Sequence, residues 1–122
     1  MKALSIQQPW AWLIVNGHKD IENRDWPTRF RGRIYVHAGK KLDKDAIDYI
    51  RKAYPEVPLP EAFELGGIVG EATVTGCVTE SESKWFYGDY GFTLARPHPI
   101  PFIPLRGQLG FFEVPSHLGR SA

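Results

Sequence analysis

The sequence lacks the residues and motifs on which the commonest metal and nucleophile chemistries depend. Its single cysteine, Cys77, excludes an internal disulfide and leaves no cysteine-based zinc cluster. A glycine-rich phosphate loop, a His-Glu-x-x-His pair and a Gly-x-Ser-x-Gly elbow are also missing from the chain. These absences disfavour metal-dependent and triad hydrolases, and we expect no metal and no cofactor.

Long apolar runs and a strong charge imbalance are lacking too. No run approaches the roughly 18 residues of a membrane span, and the first residues enter a strand without the apolar core of a signal peptide. The 122 residues predict one domain over 1–122, with a loose tail from about residue 115. We therefore expect a cytoplasmic protein, monomeric and without membrane contact.

The formal net charge of +1 argues against indiscriminate binding of polyanions, but the cations are unevenly placed. Residues 17–41 hold seven Lys or Arg against three acids, whereas the rest of the chain is net acidic. Such a segment suits short, selective contacts with phosphates. A solvated charged surface is the alternative interpretation.

The first third of the chain predicts a strand, a short helix and a polar strand. Alternation from Leu4 predicts the first strand, and Pro9 suits the first turn of a helix that begins near Gln8 and ends at Gly17. Lys19–Trp26 then alternates as a strand with two polar faces, which seldom only fills a core. This strand is a candidate ligand site.

The rest of the chain predicts one further helix and several strands. Asp43 is a suitable N-cap for a helix over Lys44–Tyr54. Strands are expected at Ile34–Ala38, Ile68–Thr79, from Phe92, and at Gly107–Val114. The small residues on one face of Ile68–Thr79 fit the tight curvature of a closed barrel.

A set of polar and aromatic residues in the first third can form the site. Lys19 and Glu22 are the candidate catalytic pair, because a buried lysine has a lowered pKa and can act as an activated amine. Stacking of a base would use Trp10 and Trp26, and core packing is the alternative role of Trp10. Arg24 can hold a phosphate or Glu22, and His37 can be a base or a hydrogen-bonded core histidine. The predicted nucleic-acid-binding residues are Gln8, Trp10, Lys19, Arg24, Trp26, Arg29, Arg31, Arg33, His37, Lys40 and Lys41.

Several segments, in order, resemble the ASCH domain of the PUA-like β-barrel group. They are Leu4-Ser5-Ile6-x-Gln8-Pro9-Trp10-Ala11, Gly17-x-Lys19, Glu22-x-Arg24-x-Trp26, Arg31-Gly32-x-Ile34, His37-Ala38, Gly67-Ile68-Val69-Gly70, Tyr90-Gly91-Phe92, Pro99-Ile100-Pro101 and Arg106-Gly107-Gln108-Leu109-Gly110. The resemblance covers nearly the whole chain. It implies an α+β fold, a small PUA-like β-barrel with two or three flanking helices.

The same resemblance implies several activities. ASCH-like domains are associated with RNA or single-stranded nucleic acid binding, ribonuclease activity, removal of acetyl from N4-acetylcytidine, and transcription coactivators. In the acetylcytidine amidohydrolase-like members, a threonine follows the lysine by three residues and a distant glutamate assists. Here Glu22 takes the threonine's position, and Glu71 or Glu80 would have to be the distant acid.

The leading hypothesis is binding of RNA or another single-stranded nucleic acid in a basic cleft between the first helix and the strand that follows it. One alternative is a metal-independent enzyme on nucleotide material, either a ribonuclease or an amidohydrolase acting on a modified nucleoside. The other is a protein-interaction module in transcription. A functional cleft requires Gln8, Lys19, Glu22 and Arg24 to surround one concavity.

Overall fold

The computed structural model describes residues 1–118; the end of the expected tail, residues 119–122, lies outside the described part. In chain order the elements are β1 Lys2–Gln8, α1 Trp10–Val15, β2 Ile21–Arg24, β3 Gly32–Leu42, α2 Lys44–Ala53, β4 Gly67–Val78, β5 Tyr90–Pro104 and β6 Phe111–Glu113. All six strands belong to one sheet. The α+β prediction is confirmed. No helix in residues 1–118 is long and apolar enough to cross a membrane.

The sheet returns on itself like a barrel that is left open along one side. Its strand order is β2-β5-β4-β3-β1-β6, with β1 and β3 parallel and the other neighbours antiparallel. Trp26, just past β2, packs edge-on against Phe111 of β6, with ring centroids 6.0 Å apart. Side chains rather than a backbone ladder therefore join these two ends of the sheet. We call this gap between β2 and the β1–β6 pair the seam.

The main core fills the inside of the curved sheet and is covered by α1. It includes Leu4, Ile6, Ile14, Val36, Ala72 and Phe92, all buried. Each large aliphatic or aromatic side chain buried here contributes about 1.5–3 kcal/mol relative to exposure. Gly70 of β4 allows the close approach of α1, because a Cβ there would lie 2.5 Å from both Val15 Cγ1 and the His98 carbonyl oxygen.

Strand β5 accommodates four prolines because, over most of its length, only one of its two sides is paired with another strand. Its pairing with β2 spans only Tyr90–Thr93, whereas its pairing with β4 continues to Pro104. Pro97, Pro99 and Pro101 lie beyond the residues that pair with β2, and prolines are tolerated at such an edge because it has no neighbouring strand on that side. Arg96, directly before them in β5, has φ 48° at a shift in the register between β4 and β5.

Several element boundaries differ from the sequence prediction. Strand β2 is half as long as the Lys19–Trp26 prediction, and β3 is longer than Ile34–Ala38. The predicted last strand from Gly107 was wrong over residues 107–110, which form a loop before β6. That loop passes so close to β1 that a Cβ at Gly107 would lie 2.6 Å from Ser5 Oγ. Residues 115–118 form a turn whose Leu118 packs on the second core cluster.

Candidate functional site

Lys19 reaches the interior because α1 ends in a sharp turn. Gly17 has φ 81°, a conformation that favours glycine, and it reverses the chain as the sequence predicts. The backbone N–H groups of His18 and Lys19 then both donate to the Leu13 carbonyl oxygen, at 2.8 and 3.0 Å. The chain therefore folds back beneath α1, and Lys19 keeps only 4% of its surface exposed.

Glu22 lies between two cations. Lys19 Nζ donates to the Ile21 carbonyl oxygen and lies 3.5 Å from Glu22 Oε1. On the other side, Arg24 Nε and Nη2 contact Glu22 Oε2 at 3.0 and 2.9 Å. Arg24 therefore holds Glu22, one of its two predicted roles.

Arg24 also bridges the seam. Strand β6 pairs with β1 only as far as Leu4, and the next carbonyl oxygen, that of Ser5, accepts from Arg24 Nη2 at 2.7 Å. A guanidinium thus replaces the backbone donor that a neighbouring strand would supply. Arg24 Cζ lies 5.8 Å from the Trp26 ring centroid, within the range of a cation–π interaction.

The electrostatics of the cluster are dominated by the burial of Lys19. Burial lowers the pKa of Lys19 from its ordinary value of 10.5, because the charged ammonium loses hydration; Arg24 adds a small lowering. Attraction and hydrogen bonding to Glu22 act in the opposite direction and are weaker than burial. Lys19 therefore loses its proton at a lower pH than an exposed lysine does.

These side chains open into a cavity of about 430 Å³ in the seam, which we call the seam cavity. Polar Lys19, Glu22 and Arg24 lie among aromatic side chains, and a cavity of this size is typical of small-molecule sites. The full lining is Ser5, Ile6, Gln7, Trp10, Lys19, Glu22, Asn23, Arg24, Asp25, Trp26 and Tyr87. Trp10 and Trp26 also pack against the main core, so each contacts both the core and the cavity.

Asn23 fastens the loop that carries the third aromatic wall. Its Nδ2 donates to the Trp85 carbonyl oxygen at 2.8 Å, and its Oδ1 accepts from the Tyr87 backbone N–H at 3.1 Å. Tyr87 is 69% exposed at the cavity mouth. Sequence reasoning missed Asn23 and Ser5 as site residues, although Asn23 lies inside the polar strand pattern that flagged this region.

Gln8 is the predicted cleft residue that lies elsewhere. It is 1% exposed, its Oε1 accepts from the Trp12 backbone N–H at 2.8 Å, and its Nε2 donates to the Glu64 carbonyl oxygen at 3.0 Å. Gln7 lines the seam cavity, whereas the contacts of Gln8 hold its side chain against α1 and residue 64. The expected grouping of Gln8 with Lys19, Glu22 and Arg24 was therefore wrong.

The remaining predicted basic residues do not line the seam cavity. Arg33 is engaged with Glu71 at 3.0 Å and with Thr73. The Arg31 guanidinium donates to carbonyl oxygens of its own loop, and Arg29 and Lys41 are exposed. Since Glu71 is paired with Arg33, and neither Glu71 nor the exposed Glu80 lines this cavity, no distant acid reaches Lys19 from those positions.

His37 and Lys40 line a second cavity of about 340 Å³. His37 is 2% exposed and hydrogen-bonded to Ser5 and to the Leu105 carbonyl oxygen, which matches the prediction of a bonded core histidine. Within residues 1–118, no three His, Cys, Asp or Glu side chains are grouped so that they can hold a metal ion.

A curved six-stranded sheet with α1 over it and a polar cavity in its seam defines a PUA-like domain. The family model of the ASCH domain matches residues 4–102, and the chain belongs to this family. The family is associated with RNA binding and with coactivator function.

Two curated relatives are named "Activating signal cointegrator 1". The human protein is 30% identical over 106 residues, which cover 82% of this chain and 18% of the relative. The mouse protein is 31% identical over 134 residues, covering 98% of this chain and 23% of the relative. The chain thus spans less than a quarter of these relatives' length.

Solved structures of ASCH from Zymomonas mobilis have the same fold. The structure of that protein has a TM-score of 0.57 at 17% identity, covering 97% of this chain and 90% of the other. A mutant form has a TM-score of 0.56 at 15% identity, with coverages of 97% and 92%. At this identity the likeness shows the fold alone.

The Lys19 ammonium should titrate below the protein's exposed lysines. Nitrogen-detected NMR of the lysine Nζ groups measures each midpoint. Glu22→Gln should lower the Lys19 midpoint further, since the carboxylate raises the pKa. A Lys19 midpoint at or above 10.5 would show that attraction to Glu22 exceeds the cost of burial.

Proposed function

We propose that the chain binds single-stranded RNA by inserting one base into the seam cavity. The observation that carries this proposal is a row of polar groups between aromatic walls. Lys19, Glu22 and Arg24 provide donors and an acceptor for a base edge. Trp10, Trp26 and Tyr87 offer faces for stacking. Single-stranded RNA presents unstacked bases that proteins recognise in this way.

The charges of the seam cavity favour a base over a phosphate as its occupant. Two cations, Lys19 and Arg24, are matched by two acids, Glu22 and Asp25. A carboxylate beside the binding position repels phosphate oxygens but accepts hydrogen bonds from the N–H groups of a base. Contacts with the backbone then come from outside the cavity, and Arg29 lies on the loop that follows Trp26 directly.

Tyr87→Ala should weaken binding of a short single-stranded RNA by about 5-fold to 150-fold, because one base loses a stacking partner. Fluorescence anisotropy at a fixed, low salt concentration measures the affinity. Tyr87 suits this test because it is 69% exposed and its truncation spares the core.

The matched control is Tyr49→Ala, since Tyr49 is a 58% exposed tyrosine of α2 that does not line the seam cavity. It should bind as the unmodified protein does. Equal affinities for the Tyr87→Ala and Tyr49→Ala variants would contradict base insertion at this cavity.

A second candidate function is metal-independent hydrolysis of nucleotide material, and the buried amine of Lys19 favours it. A lysine with a lowered pKa has a larger fraction of neutral amine at a given pH than an exposed lysine, and this neutral amine can take a proton as a general base. With Glu22 in place of the threonine of the amidohydrolase-like members, the lysine has a carboxylate partner, so this candidate uses Lys19 as the base.

Purified protein incubated with RNA and with N4-acetylcytidine, each with and without a chelator, tests this second function. Turnover should survive the chelator and disappear in Lys19→Ala. Lys19→Arg should keep the charge but not the activity, because arginine stays protonated. Activity that persists in Lys19→Ala would exclude this mechanism.

A further inference from the structure

The second cavity lies directly beside the seam cavity, and Ser5 belongs to the walls of both. On one side the Ser5 carbonyl oxygen accepts from Arg24, which lines the seam cavity. On the other side Ser5 Oγ lies 2.9 Å from Nδ1 of His37 in the second cavity. One residue of β1 therefore separates the two spaces.

The wall between the cavities is held in a fixed arrangement. His37 Nε2 lies 2.6 Å from the Leu105 carbonyl oxygen, which can only accept, so Nε2 carries a proton. In the neutral ring, Nδ1 is then the acceptor of the Ser5 hydroxyl. Gly107 closes over this pair, since a Cβ there would lie 2.8 Å from His37 Cε1.

The second cavity differs from the seam cavity in its charge. Its lining includes two cations, Lys40 and Arg106, and no Asp or Glu. Both are exposed, and within residues 1–118 neither belongs to a salt bridge. The four charged residues of the seam cavity have a net charge of zero, whereas the two of the second cavity are both positive. The second cavity therefore attracts an anion.

We propose that the second cavity binds the phosphodiester phosphate next to the nucleotide whose base occupies the seam cavity, with Lys40 and Arg106 as the phosphate-binding residues. This rests on the function proposed above and extends it from one base to a dinucleotide. Phosphate contacts position a strand, and the base contact selects it. The two cavities separate these tasks: the neutral one takes the base and the cationic one takes the charge.

The test compares the four ribonucleosides with matching dinucleoside monophosphates by NMR titration of the whole chain. The dinucleoside monophosphate of the preferred base should bind about tenfold more tightly than its nucleoside, since a hydrogen-bonded charge pair has an effect of this order. The advantage should shrink as salt rises. Lys40→Ala/Arg106→Ala should remove it and leave nucleoside affinity unchanged.

Arg51→Ala/Lys52→Ala is the matched control, because it removes one arginine and one lysine from exposed positions of α2 that line neither cavity. It should keep the tenfold advantage. An equal loss of this advantage in both double variants would show that it depends on the net charge of the protein and not on Lys40 and Arg106. That result would overturn the inference.

The two levels of the proposal fail differently. A nucleoside that binds without any gain from the added phosphate overturns the second cavity as a phosphate site and leaves base insertion standing. A gain in affinity from the added phosphate that persists in Lys40→Ala/Arg106→Ala also overturns the second cavity as a phosphate site. Absence of binding by nucleosides and dinucleoside monophosphates alike overturns both.

Discussion

Glu22→Ala is expected to lower the free energy of unfolding by about 3 kcal/mol at neutral pH, because it leaves the buried ammonium of Lys19 without its carboxylate. The loss should shrink as pH rises. Once the pH exceeds the lowered pKa of Lys19, the folded variant carries a neutral amine there, whereas the unfolded chain keeps its proton up to 10.5. The unfolded state then binds more protons, so stability increases with pH.

Urea titrations between pH 7 and pH 10 measure this effect. Lys19→Met/Glu22→Ala should recover much of the loss, since removing both charges leaves neither one buried alone. Glu113→Ala is the control: Glu113 pairs with Lys2 at the surface, where solvent screens the pair, so its loss should change stability little at any of these pH values. A loss in Glu22→Ala that stays constant up to pH 10 would show that Lys19 is not its source.

Gly70→Ala is expected to destabilise the protein by about 3 kcal/mol, at the upper end for an overpacked core position. The added methyl would lie 2.5 Å from the His98 carbonyl oxygen, and neither strand can shift without breaking the β4–β5 ladder. The position also sets the height of α1 above the sheet, and thereby the turn that carries Lys19. Denaturant unfolding measures the change.

Two further variants isolate the cause. Gly39→Ala should change stability by less than about 1 kcal/mol, since a Cβ at Gly39 meets nothing within 4 Å. Gly70→Ala/Val15→Ala removes the contact with the helix but not the one with the carbonyl oxygen, so it should remain destabilised. A Gly70→Ala protein as stable as Gly39→Ala would refute the close approach.

The sequence predicted those parts of the site that depend on residues close together in the chain. Gly17 predicts the turn that carries Lys19, and alternation in the strand after it predicts that Glu22 and Arg24 share one face. Asp43 caps α2 as expected, with its side chain accepting from the Ala46 N–H at 3.0 Å. These features depend on residues a few positions apart, which a sequence displays directly.

The contacts that sequence reasoning could not give join distant residues. Arg33 was predicted to bind nucleic acid, but its side chain is bound to Glu71 of the neighbouring strand, 38 positions away. Gln8 was misplaced because the side it faces depends on how β1 meets α1. Ser5 is shared by two cavities because the pairing of β6 with β1 ends at Leu4 and the loop before β6 passes beside Ser5. No periodicity in the sequence indicates either feature.

The seam is a gap in the sheet whose width is set by a side chain rather than by a backbone ladder. Across most of a β-barrel, the distance between neighbouring strands is fixed by their ladder at about 4.8 Å. Between β1 and β2 the link is the Arg24 side chain, from Glu22 Oε2 to the Ser5 carbonyl oxygen. A substitution at position 24 can therefore change the width of the seam cavity while the hydrogen bonds of every ladder are kept.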